Sequence, residues 1–102
     1  MTDIPAKGLE LRSTITSQGE LRLNLETVDV PKPGPGELLV EVQASPINPS
    51  DLGLLLGPVD PASLKAGGTA EAPVVTGSVN ERRLEALRPR LDQSLPVGNE
   101  GA

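Results

Sequence analysis

Residues 21–26 read Leu-Arg-Leu-Asn-Leu-Glu, and this alternation of apolar and polar side chains predicts a β-strand with one buried and one solvated face. A shorter alternation over Leu9–Ser13 predicts a preceding strand, and Gln18-Gly19 between the two predicts a hairpin turn. The proline- and glycine-rich stretch Pro31–Gly36 ends the pattern, which resumes in Glu37–Gln43 as a further predicted strand. Strands joined by turns without intervening helices predict an antiparallel sheet or barrel.

Short helices are expected in two places. Asn48-Pro49-Ser50-Asp51 predicts the start of a helix that runs to Leu56 and ends at Gly57. Residues 57–72 are predicted to be a loop, and the valines at 74 and 75 a short strand. Ser78–Glu81 has the pattern of a capping box, with Ser78 as the cap of a second helix that Pro89 limits. The apolar stripe of that helix consists of Leu84, Leu87 and Leu91.

Composition excludes several classes of chemistry. The chain has 102 residues, enough for one small domain, and contains no Phe, Tyr, Trp, Cys or His. Without Cys or His, the sequence can supply neither a thiolate zinc site nor Ser-His-Asp or Cys-His catalysis. Any metal would have to be a hard cation bound by oxygen ligands, and the acidic residues do not have EF-hand spacing, so we expect no metal in the site. The core has to be built from aliphatic side chains alone, since hydrophobic residues make up 36% of the chain.

Charge and hydropathy give further expectations about partners. The formal net charge is −5, which argues against a nucleic-acid partner. A local basic cluster, formed by Arg82, Arg83, Arg88 and Arg90, is interpreted as the solvated face of a helix, with a phosphate or partner contact as the alternative. No apolar run is long enough to span a bilayer, and no signal peptide is visible. The sequence predicts a soluble protein in the cytoplasm.

Two short motifs suggest a site. Asn48-Pro49-Ser50-Asp51 and Gly98-Asn99-Glu100-Gly101 each combine amide and carboxyl side chains with turn-forming residues. Taken alone, each is also explained by turn and capping chemistry. Gly34-Pro35-Gly36 is not a dinucleotide-binding loop, because Leu39 replaces the third glycine and a strand pattern follows.

Taken in order, these features resemble the N-terminal half of the medium-chain dehydrogenase/reductase family over residues 8–57 and 95–102. The resemblance implies a mainly β fold over residues 1–102: a GroES-like, partly open β-barrel with short helices and an inserted strand-helix segment at about 58–94. In that family a Rossmann domain carries the cofactor, and we expect it to lie beyond Ala102. The 102 residues alone are then expected to be inactive.

The resemblance also implies a chemistry. Zinc-dependent members carry Cys at the position of Asn48 and His at that of Asn99, so the chain is similar to the zinc-independent branch of quinone oxidoreductases and 2-enoyl thioester reductases. The implied reaction is hydride transfer from NADP(H) to a quinone or another conjugated carbonyl or enoyl substrate. Asn48 and Asp51 would be the catalytic residues at the nicotinamide cleft, and Asn99 and Glu100 would support the cleft wall. Related reductases place a Tyr shortly after the first motif, and this chain has none.

Several alternatives stay open at this stage. The inserted segment could be a lid hinged at Gly67-Gly68, a cover for a barrel edge or a dimer contact, and the chain could form a homo-oligomer. A stand-alone, co-chaperonin-like β-barrel serving as a structural or binding module would share the fold. A regulatory domain that binds through the Arg82–Arg90 cluster is a third interpretation.

Overall fold

A computed structural model describes residues 4–98 and 101–102 of the chain. Within this part, five strands form one antiparallel sheet in the order β3-β4-β2-β1-β5. This confirms the predicted mainly β fold, an open sheet with a few short helices. The elements in chain order are β1 Lys7–Ile15, β2 Glu20–Asp29, α1 Pro49–Leu56, a 3-10 turn Pro61–Ser63, β3 Lys65–Gly68, β4 Pro73–Ser78, α2 Glu81–Ala86, a 3-10 turn Arg88–Arg90 and β5 Leu95–Pro96.

The hairpin of β1 and β2 is the centre of the sheet and confirms the first sequence prediction. The two strands pair along their whole length, from Lys7 opposite Asp29 to Ile15 opposite Leu21. Gly19 closes the turn with a φ of 86°, a left-handed conformation that glycine adopts without steric cost, and its N–H donates to the Thr16 carbonyl.

The core is small and lies at the turn end of this hairpin. Its buried apolar residues are Ile15, Leu21, Val59 and Val79, all at most 7% exposed. Half of them therefore come from the hairpin and half from residues 59–79. Partly buried leucines surround this centre; they are Leu23, Leu56, Leu64, Leu84, Leu87 and Leu91. The stripe that the sequence predicts for the second helix thus packs against the core.

The segment at 58–94 is built into the sheet. Strand β4 pairs with β2, with Leu21 opposite Gly77 and Leu23 opposite Val75. Gly77 is buried, and the connection after α1 passes close over it: a Cβ at this position would lie 2.5 Å from the Val59 Cγ1. Only glycine allows this approach without a shift of the neighbouring side chains.

Two local predictions in this segment are wrong. Residues 57–72 were predicted to be a loop, but Lys65–Gly68 is an edge strand that pairs with β4 and leaves all its side chains exposed. Such a strand needs no apolar alternation, which is why the pattern does not reveal it. Helix α2 is capped by Asn80 rather than Ser78: the Asn80 Oδ1 accepts the Arg83 N–H at 2.9 Å, while Ser78 is still in β4.

The predicted strand Glu37–Gln43 is also wrong. The structure gives this segment no strand pairing, and Leu38, Val40 and Val42 are 89%, 67% and 62% exposed. Its backbone bonds lie at the ends, where the Glu37 N–H donates to Gly34 and the Gln43 N–H to Ala102. Alternation shows which face of a strand would be buried, but it does not show whether a neighbouring strand is available for pairing. In this sheet the edge strands are β3 and β5, and residues 37–43 pair with neither.

Candidate functional site

An apolar cleft of about 540 Å³ lies between α1, the segment before it and the segment that contains β5. This size is typical of small-molecule sites. Most lining residues are aliphatic, while Asp51 and Arg90 are the charged residues among those that the structure describes. The lining consists of Leu11, Ser45, Pro46, Ile47, Asp51, Leu52, Leu54, Leu55, Arg90, Leu95, Pro96, Val97 and Gly98.

The first motif forms the start of α1, as the sequence predicts. Asn48 is the N-cap, with extended backbone angles, and Pro49 occupies the first helical turn, where its missing N–H costs nothing. The Asn48 N–H donates to the Asp51 Oδ2 at 2.8 Å, and the Asn48 side chain accepts from the Asp51 backbone, so the two residues form a capping box. This reciprocal pairing fixes the helix end beside the cleft.

The motif is thereby divided between two positions. Asp51 lines the cleft, whereas Asn48 is the cap next to Ile47, which does line it. The acidic side chain at the helix N-terminus is also favourably placed with respect to the helix dipole. The capping role of both residues is therefore visible in the structure, and their predicted catalytic role at a nicotinamide stays a prediction.

The segment before the second motif also lines the cleft. Strand β5 pairs with β1, with Leu95 opposite Ser13, and the Val97 N–H donates to the Leu11 carbonyl at 3.2 Å. Leu95, Val97 and Gly98 then line the same cleft as Asp51. Asn99 and Glu100, the predicted supports of the cleft wall, lie outside the described residues.

Beyond those two residues, the chain returns to the segment that precedes α1. The Ala102 N–H donates to the Ala44 carbonyl at 2.8 Å, and the Ala102 carbonyl accepts from Ala44 at 2.9 Å. The sequence regions of both motifs are thus brought together around one cleft, although more than 40 positions separate them in the chain.

Arg90 is the site residue that sequence reasoning missed. The sequence predicts that Arg90 belongs to the solvated arginines, but it is half-buried, lines the cleft and donates from Nη2 to the buried Ser13 Oγ at 3.3 Å. Its Nε is buried and has no hydrogen-bond partner among the described residues. The spacing in the sequence could have indicated this, because residue 90 is three positions after Leu87 and adjacent to Leu91. On a helix this spacing places Arg90 on the same face as the apolar stripe.

The other arginines of the cluster behave as predicted for a solvated face. Arg82, Arg83 and Arg88 are exposed, and Arg88 forms an ion pair with Glu85 three positions earlier at 2.6 Å. Exposed pairs of this kind contribute little to stability. In residues 4–98 and 101–102, no group of three or more His, Cys, Asp or Glu side chains is placed to hold a metal ion. No helix in the same part of the chain combines the length and hydropathy that a membrane crossing requires.

Comparison with known proteins gives one similarity and one negative result. Over 57 residues, 55% of the chain, it is 49% identical to the mitochondrial enoyl-[acyl-carrier-protein] reductase of Caenorhabditis elegans. The matched stretch is 14% of the length of that protein. No protein-family model matches the chain. The similarity supports the resemblance to the medium-chain dehydrogenase/reductase family, and the branch within that family stays a prediction.

Proposed function

We propose that this chain is the barrel part of a zinc-independent, NAD(P)H-dependent oxidoreductase that reduces an enoyl thioester or another conjugated carbonyl. The observation that carries the proposal is geometric. The start of α1, with Asp51, and the segment ending at Gly98 line the same apolar cleft. The 49% identity to an enoyl reductase points to the same chemistry. A quinone is the alternative acceptor.

The donor set of the site fits a mechanism without zinc. Zinc sites in proteins are built from Cys, His and carboxylate ligands, and the chain has no Cys or His. Asn48, at the position where zinc-dependent members carry Cys, uses its side-chain oxygen as a helix cap. An amide oxygen already engaged in this way is a poor replacement for a thiolate.

The same cleft fits a nicotinamide ring and a short acceptor. Its volume suits a small molecule, and aliphatic side chains such as Leu52, Leu55 and Val97 provide an apolar surface for a ring or an acyl chain. The nicotinamide, when bound, supplies the hydride. The chain orients the reactants: in this proposal the Asn48 amide group donates to a carbonyl at the cleft rim, while Asp51 holds Asn48 in place through the capping box.

The proposal is tested by grafting. A chimera of the C. elegans enoyl reductase receives the similar segment of this chain, with boundaries chosen to include Asn48 and Asp51. If the segment forms the same part of the same kind of enzyme, the chimera oxidises NADPH in the presence of an enoyl thioester. A folded chimera without this activity contradicts the proposal.

Substitutions at Asn48 separate a functional amide from a simple cap. Serine is also a good N-cap, so Asn48→Ser keeps helix α1 but removes the amide donor, whereas Asn48→Ala removes both. In the chimera, we expect Asn48→Ser to leave the melting temperature unchanged and to lower kcat by about tenfold or more. The exposed neighbour Ser50 provides the control, since Ser50→Ala should change neither quantity. Full activity of Asn48→Ser would show that the amide group of Asn48 has no role beyond capping helix α1.

Two remaining expectations stay predictions. The sequence predicts a cytoplasmic location, whereas the name of the similar C. elegans protein places that protein in mitochondria. Imaging of a C-terminal fluorescent fusion decides between the two locations.

The co-chaperonin-like alternative predicts a ring oligomer in light scattering, whereas a reductase domain predicts a monomer or dimer.

A further inference from the structure

We propose that the cleft is also a binding site for a carboxylate with a compact apolar body, held by Arg90. The inference goes beyond the proposed reductase function, because it involves neither a nicotinamide nor Asn48. It rests on the position of one guanidinium group in a cleft whose lining is mostly aliphatic.

The hydrogen bonding of Arg90 is incomplete. A guanidinium has five N–H donors and no acceptor. Within the described part of the chain, one of these donors is bonded, from Nη2 to the Ser13 Oγ at 3.3 Å, and Nε is buried without a partner. Because Nε is buried, a ligand in the cleft can reach only the terminal Nη groups, which keep N–H donors beyond the one bonded to Ser13.

Two other arginines, Arg88 and Arg12, have carboxylate partners, so incomplete hydrogen bonding is not general among the arginines of this chain. Arg88 is exposed and paired with both Glu85 carboxylate oxygens, at 2.6 and 2.7 Å. Arg12, on β1, donates to Glu10, to the Ser94 hydroxyl and to the Ser94 carbonyl. Arg90 alone among these three lacks a carboxylate partner in the described residues, and it is the one that lines the cleft.

The lining favours a carboxylate over a phosphate ester. A carboxylate matches the planar fork of a guanidinium and carries a single negative charge. Asp51 lines the same cleft, so a doubly charged phosphate would meet more repulsion than a monoanion. The aliphatic walls formed by Leu52, Leu55 and Leu95 would cover an apolar body, which a small inorganic anion lacks.

The test uses the chain itself and nuclear magnetic resonance, because a protein without Trp or Tyr has no useful intrinsic fluorescence. Isotope-labelled protein is titrated with cyclohexanepropionate, with the matching alcohol cyclohexanepropanol and with inorganic phosphate. We expect the carboxylate to saturate with a Kd below about 1 mM and to shift the Arg90 Nε–H signal together with amides of α1 and β5. The alcohol and phosphate should each bind at least about tenfold more weakly.

Variants assign the effect to Arg90. Arg90→Met keeps a long side chain but removes the charge and should weaken carboxylate binding by about tenfold or more. Arg90→Lys keeps the charge without the fork, and should weaken binding less than Arg90→Met. Arg82→Met, on the exposed face of α2, is the matched control and should bind normally. Circular dichroism checks folding, and Arg90→Lys carries the test if Arg90→Met does not fold.

Three results would overturn the inference. Equal affinities for the carboxylate and the alcohol would show an apolar site in which Arg90 plays no part. Equal affinities for the carboxylate and phosphate would show a general anion contact. Unchanged spectra up to about 10 mM carboxylate would show that the unpartnered donor of Arg90 serves no ligand of this class.

Discussion

Replacing Gly77 with alanine tests how the segment after α1 packs on the sheet. The new methyl group would lie 2.5 Å from the Val59 Cγ1 and 3.1 Å from the Leu64 Cδ2, whereas carbon atoms in contact are normally about 3.5–4.0 Å apart. Leu64 can move its side-chain end by a few tenths of an ångström, but Val59 is 7% exposed and stiff at χ1. The strain has to be relieved by moving the backbone at residue 59 or strand β4.

Overpacking of this kind typically costs about 1–3 kcal/mol. The loss of backbone freedom in the unfolded chain returns about 0.4–1 kcal/mol, so we expect a net destabilisation of about 1–2 kcal/mol. In a domain of this size, each kcal/mol lowers the melting temperature by about 4–8 °C. Urea denaturation followed by far-ultraviolet circular dichroism measures the difference.

Gly67 provides the matched control. It lies in the neighbouring strand β3, and a Cβ there would meet nothing closer than the Val74 carbonyl at 3.9 Å, an ordinary contact. Gly67→Ala should therefore be neutral within about 0.5 kcal/mol. In the Val59→Ala background, Gly77→Ala should lose most of its cost, which a double-mutant cycle reports as a coupling of about 1 kcal/mol. Equal stability of Gly77→Ala and Gly67→Ala would refute the close packing of Val59 on β4.

Three further stability changes follow from the local geometry, all measured by the same denaturation assay. Gly53→Ala, inside α1 with open space around it, should stabilise the chain by up to about 1 kcal/mol, and no gain would argue against helix at this position. Asn80→Ala should cost about 1 kcal/mol and Ser78→Ala much less, and the reverse order would restore Ser78 as the cap. Asp92 has a φ of 60°, and its side chain accepts the Ser17 N–H at 2.9 Å. Asp92→Asn should be nearly neutral because Asn keeps an acceptor and tolerates this backbone conformation, whereas Asp92→Ala should cost about 1–2 kcal/mol. A neutral Asp92→Ala would show that the side-chain bond is absent in solution.

Features that depend on residues adjacent in the chain are predictable from the sequence. The alternation in β1 and β2 and the glycine at position 19 together specify a hairpin, because both strands and their turn are adjacent in the chain. The start of α1 depends on side-chain to backbone bonds within four residues, and these are formed between Asn48 and Asp51. Such features depend little on the rest of the fold.

Features that depend on residues far apart in the chain are not predictable from local sequence patterns. Glu37–Gln43 has apolar side chains at alternate positions 38, 40 and 42, as β2 has at 21, 23 and 25. A strand forms only where a partner is available, however, and the position of the partner is set by distant residues. Lys65–Gly68 shows the opposite case, an edge strand without any apolar pattern, which the pairing with β4 holds in place. Arg90 is the last residue of the 3-10 turn that follows α2, and its bond to Ser13 on β1 is a contact between residues 77 positions apart, which a local helical pattern does not predict.

The central claim is that this chain supplies one wall of a reductase cleft, and the fate of the hydride tests it most directly. The chimera that carries Asn48 and Asp51 is incubated with an enoyl thioester and with NADPH labelled with deuterium at the transferable position of the nicotinamide. The account predicts that the saturated acyl product carries one deuterium and that Asn48→Ser slows its formation without unfolding the protein. A folded chimera that leaves the enoyl thioester unreduced, or whose product carries no deuterium, would contradict the claim.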